Sequence, residues 1–152
     1  MATRAPWGKI FRLAATGGFA VSAALHLTTF TRFPPASAAA IALALFAGAF
    51  ALLATMVVRL REAGAPARGA GPVRVVEWRR LVALVPAGPR HAGLAVIAYV
   101  IMNLGLSLFV GEEGVGSVRL LSGHLLLFYL IPLLYFRFVE PRLRDVAGPS
   151  RP

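Results

Sequence analysis

Apolar positions in this chain neither alternate with a period of two nor gather on one side of a helix. They run on almost unbroken over four stretches, about 10–31, 37–58, 92–110 and 119–138. Each is close to the roughly 20 residues that an α-helix needs to cross the hydrocarbon of a bilayer. Backbone amides in lipid have to be bonded within their own segment. The pattern therefore predicts an all-α fold, an integral membrane four-helix bundle occupying 1–152 as one domain. Two connections are short, T-R-F-P-P-A-S and G-E-E-G-V-G-S, and their glycines and prolines read as turn residues. The connection 59–91 is long. It opens as a Gly/Pro/Ala/Arg linker with too little apolar surface to fold, then becomes amphipathic over about 73–85. There Val75, Val76, Trp78 and Leu81 oppose Arg74, Glu77, Arg79 and Arg80, as in a segment lying on a membrane face. That segment reads as an anchor leading into the third span, with lipid or partner binding as the alternative. Pro86 and Pro89 are expected to end it.

Charge sets the orientation. Of the 16 Lys and Arg residues, only Arg32 and Arg119 fall in the two short connections. The rest lie in residues 1–12, in the 59–91 connection and in the tail from Arg137. Cytoplasmic segments carry the excess of positive charge, so both termini and the long connection are expected inside and the short connections outside. The first apolar stretch is longer than the 7–15 residues of a signal-peptide core and is read as retained, despite the Ala-Ser-Ala at 36–38. The expected location is the bacterial inner membrane, with the lipid bilayer as the first partner. Composition agrees: 58% of residues are hydrophobic, 14% are charged, and the mean hydropathy is +0.73. A net charge of +10 raises nucleic acid as a partner, but the basic residues sit between spans and form no stripe interleaved with aromatics. No nucleic-acid partner is expected. Cysteine is absent, which excludes disulfides, thiolate metal sites and covalently attached haem.

Within this frame two histidines stand out, because ionisable residues inside spans usually face the bundle interior and are functional by default. His26 lies about five residues before the outer end of the first span and His124 five residues after the start of the fourth. At 1.5 Å per residue both are roughly 7 Å deep, and Asn103 on the third span is roughly 10 Å deep. Gly18, Ser22 and His26 form one stripe at spacing four; Tyr99, Asn103 and Ser107 form another, and Ser117, His124, Phe128 and Tyr135 lie near one another on the fourth span. Ala36, Ala40, Ala44 and Gly48 offer a close-packing face on the second. Pro132 frees the carbonyl of Phe128.

Three readings of the polar cluster Ser22, His26, Asn103, Ser107, Ser122 and His124 stay open. The imidazoles fasten helices by hydrogen bonds; or His26 and His124 bind haem b as axial ligands, or a divalent metal together with Glu112 and Glu113; or the cluster serves a quinone or a proton relay. Motifs for soluble catalysis are missing, with no H-E-x-x-H, no G-x-S-x-G and no phosphate-binding loop, so enzyme chemistry is not expected.

H-L-T-T-F at the end of the first span, E-W-R-R before the third, A-Y-V-I-M-N inside it and V-R-L-L-S-G-H-L-L-L-F-Y opening the fourth together resemble a group of small bacterial four-span membrane proteins. The group shares H-x-T-T-F and S-G-H-x-x-x-F-Y type motifs. Where it has a bulky aromatic after the last histidine, this chain has Leu125. The resemblance implies the same topology and groups His26, Asn103 and His124 as one constellation, and it carries no activity with it. The expectation is a structural or accessory membrane protein, working as a homo-oligomer or within a larger membrane complex.

Overall fold

The computed structural model describes residues 7–31, 38–64, 78–110 and 115–147. These are helical almost throughout and contain no strand. The helices are α1 (Trp7–Thr28), α2 (Ala38–Gly64), α3 (Trp78–Ala83), α4 (Ala87–Val110), α5 (Val115–Leu134) and α6 (Glu140–Ala147), with a π-helical turn, Tyr135–Val139, joining the last two. Among the described residues, three helical stretches are long and apolar enough to cross a membrane: Trp7–Thr28, Ala40–Glu62 and Arg119–Arg144. The third expected span falls on α4, which is not one of the three.

The α5 helix is the axis of the assembly, packed against α1, α2 and α4. Its buried side carries Ser122, Leu125, Tyr129 and Pro132, and Phe136 of the π turn continues it. Opposite it, α1 buries Ala15, Ser22, Leu25 and His26, and the predicted Gly18–Ser22–His26 stripe does face a neighbouring helix. The stripe expected on the second span does not. Ala40 and Ala44 are exposed, Ala36 lies outside the described residues, and α2 packs instead through Ala38, Ala42, Ala49, Leu52 and Met56. Gly48 alone of that set meets the core. A helix that is apolar all round carries no polar face to fix its rotation, and here the fit of larger side chains decided it.

Tyr129 makes that fit. Its ring lies where a side chain on Gly18 would stand, so that an added Cβ would fall on the ring carbons, and its hydroxyl lies 2.7 Å from the corresponding point on Gly48. The hydroxyl donates to the Leu45 carbonyl at 2.8 Å. One α5 side chain thus seats in glycine notches on both α1 and α2.

After Pro132 the helix widens. The Glu140 N–H donates to the Tyr135 carbonyl five residues back, the pattern of a π turn. Glu140 is buried, 6% exposed, pairs with Arg144 at 2.5 Å, and brings Oε2 within 3.9 Å of a Cβ position on Gly8. It therefore stands at the first turn of α1, whose amides have no helical partners. Helix α3 ends at Ala83, ahead of Pro86, and Pro86 and Pro89 also open α4. The Pro86 carbonyl accepts from the Arg90 N–H at 3.0 Å, and a proline in a first turn gives up an N–H that would be unbonded anyway. Of the amphipathic segment, residues 78–85 are described: Leu81 and Val85 are buried while Trp78 is 62% exposed. Arg142 donates to the Leu84 carbonyl and ties this segment to α6.

Candidate functional site

The first span ends in a run of threonines, and the fold uses each of them. Past the last turn, backbone bonds Thr29→His26, Phe30→Leu27 and Thr31→Thr28 tighten the chain, each at 3.1 Å. Hydroxyls of Thr28, Thr29 and Thr31 return to the carbonyls of Leu25, His26 and Thr28 at 2.6–2.8 Å. Arg119 from α5 donates to the Thr29 carbonyl at 3.1 Å and lies over the Phe30 ring, 4.6 Å from its centroid. The H-L-T-T-F motif is thus a helix terminus whose orphan carbonyls are filled by side chains, as a low-dielectric setting demands.

This terminus holds His26 rigidly between three helices. Nδ1 lies 2.7 Å from Ser122 Oγ on α5 and Nε2 lies 2.6 Å from the Tyr99 hydroxyl on α4. Ser122 also donates its single hydroxyl hydrogen to the Arg119 carbonyl at 3.0 Å. The tautomer is assigned from this network: Ser122 has no hydrogen left for the ring, so Nδ1–H donates to Ser122 and Nε2 accepts from Tyr99. A directed line Tyr99→His26→Ser122→Arg119 carbonyl results. The imidazole also meets the Phe30 and Tyr99 rings edge-on at 5.4 and 5.5 Å.

Asn103 joins this group across Gly123. A Cβ there would stand 2.9 Å from Asn103 Nδ2 and 3.7 Å from His26 Cε1, so the glycine of S-G-H leaves the space beside which both side chains lie. Ser22 is fully buried one turn earlier on α1, and its hydroxyl has no hydrogen-bond partner.

His124 does not join. Its Nδ1 bonds the Leu120 carbonyl of its own helix at 2.8 Å and its ring lies by Phe128, 6.5 Å between centroids. Direction is the reason: Ser122 and His124 are two residues apart, and such positions do not share a helix face. Ser122, not His124, occupies the face turned to His26. The axial-ligand expectation for His26 and His124 therefore does not fit, since both nitrogens of His26 are already bonded and the second imidazole points elsewhere. Glu112 and Glu113 lie outside the described residues, as do the side chains of Ser107 and Ser117. Among the described residues, no three histidine or acidic side chains gather as a metal would require.

Tyr99 and Arg119 belong to the site and lie outside the expected polar cluster. The position of Arg119 at the start of α5, opposite the end of α1, is the sequence signal for its place here. Glu140, at the far end of the same helical stretch, gave none beyond being an acid among arginines. Comparison with known families, curated proteins and solved structures finds no match for this chain.

Proposed function

We propose that the chain is a four-span protein of the bacterial inner membrane, both termini inside, and that it serves as a structural or accessory subunit in which His26 fastens helices and binds no metal. The observation that carries this is the use of both His26 nitrogens by side chains on two other helices. A ring so bonded has no lone pair to offer iron or zinc. Taking α4 as the fourth span is supported by its outward side, where Leu94, Ile101, Met102 and Leu106 are all more than half exposed and would otherwise face water. Ala40 and Ala44, exposed at spacing four on α2, support self-association through small residues.

The test is an absorption spectrum of protein purified in mild detergent, oxidised and then reduced with dithionite, with metal analysis and thermal unfolding on the same sample. A colourless, metal-free protein is expected. His26→Ala should lower its stability by about 1–2 kcal/mol, within the range of two membrane hydrogen bonds plus the orphaned hydroxyl of Tyr99. His124→Ala should change it little. A Soret band lost in both variants would overturn the proposal.

One observation favours a second reading. The Tyr99–His26–Ser122 line is a short, oriented hydrogen-bond chain near the outer end of α1, the arrangement that a proton relay or a quinone carbonyl uses. Tyr99→Phe separates the two. It breaks the relay completely, but as a fastener it costs only about 0.6 kcal/mol.

A further inference from the structure

We propose that the pocket between α3, α4 and the π turn holds one acyl chain of an anionic phospholipid, with the Arg90 guanidinium receiving the phosphate. This rests on the membrane reading above. The pocket measures about 220 Å³, room for a stretch of an acyl chain. Met56, Leu81, Leu94, Ile97 and Leu134 are among its apolar walls, and of the described residues that line it Arg90 is the charged one. Trp78 stands at its edge, the kind of side chain that settles at headgroup level.

Two features fix the occupant's chemistry. The first is the wall, which offers an aliphatic guest dispersion contact and little hydrogen bonding. The second is charge. Arg90 opens α4 and lines the pocket, and among the described residues no acidic side chain lines it. An anionic headgroup is drawn to one guanidinium about fivefold at a membrane surface; a zwitterionic one gains far less. The roof is also held in place, because Leu81 and Val85 are buried and Arg142 bonds the Leu84 carbonyl. The short helix α3 thus packs as one wall of the pocket.

Trp78 reports on the pocket directly, since Trp7 is the only other tryptophan and can be changed to Phe. Trp7→Phe protein is reconstituted into phosphatidylcholine vesicles containing a few mole per cent of lipid brominated in its acyl chains, either phosphatidylglycerol or phosphatidylcholine. The expected result is Trp78 quenching about fivefold stronger per mole fraction with phosphatidylglycerol. Arg90→Gln should bring it to the phosphatidylcholine level, and Val82→Phe, which fills the pocket without touching a charge, should weaken it. Arg12→Gln, at the same end of the molecule but on α1, should leave it unchanged. Equal quenching by the two lipids would overturn the proposal and leave the membrane reading intact. A protein that neither floats with the vesicles nor is quenched by either lipid would overturn both.

Discussion

Tyr129 is the side chain on which the rotation of two helices depends, and its two contacts are separable. At Gly18 an added methyl meets ring carbons; at Gly48 it meets only the hydroxyl, the next atom being 3.9 Å away. Gly18→Ala should therefore cost about 1–3 kcal/mol through overpacking, and Tyr129→Phe should not relieve it. Gly48→Ala should be comparably costly alone and nearly neutral in a Tyr129→Phe background, where only the lost bond to Leu45, about 0.6 kcal/mol, remains. Unfolding in detergent of the two single variants and their doubles reads this coupling. Equal rescue of both alanines would mean that the ring shifts as a whole and that the notches are not distinct. Ser22 is a contrasting case at the same scale. Its hydroxyl is buried without a partner, so Ser22→Ala should leave stability unchanged or raise it slightly. A marked loss would reveal a bond that the fold makes only in lipid.

Helix α1 is bracketed by one partner stretch. Its 22 residues span about 33 Å, and Arg119 to Glu140 in a helix spans about 31 Å, both close to the roughly 30 Å hydrocarbon thickness. The cation meets the carbonyl end of α1 and the carboxylate its amide end, each the favourable sign for the helix dipole. Glu140→Ala should cost about 0.3–2 kcal/mol and Glu140→Lys more. The swap Glu140→Lys with Arg144→Glu restores the ion pair but leaves a cation at the amide end, so it should stay less stable than the parent protein. Full recovery in thermal unfolding would assign the effect to the ion pair alone. Little of this was legible in the sequence. Helix positions and the common level of His26 and Asn103 beside Gly123 follow from apolar length and rise per residue, and Ser22, Ser122 and Tyr99 were within reach of the same argument. Facing was not legible on α2 and α5, whose apolar residues surround the helix: Ala40 and Ala44 turned outward and Ser122 replaced His124. The π turn and the role of Glu140 depend on contacts between residues more than a hundred positions apart in the chain, which periodicity does not encode.

For the whole molecule the open quantity is the number of crossings, and the position of α4 decides it. If α4 crosses, the chain passes through the membrane four times and its two ends share a side. If α4 lies on the surface, α5 begins on the same side as the long connection and the tail emerges on the other. The arginines favour the first arrangement, since those of 59–91 and those from Arg137 onward would then both lie inside. So does Glu140 at the amide end of α1, because it makes α1 and the α5–α6 stretch antiparallel and sets the start of α6 beside the start of α1. The chain has no cysteine, so single replacements report without background. In intact cells a membrane-impermeant maleimide should label Ser37→Cys and leave Ala67→Cys and Ser150→Cys unlabelled until the membrane is opened. Labelling of Ser150→Cys from outside, with Ser37→Cys unchanged, would remove α4 from the spans. The pocket beside α4 would then lie along a helix on the membrane surface, where Arg90 would still meet lipid phosphate but the acyl chain would have to enter from the side.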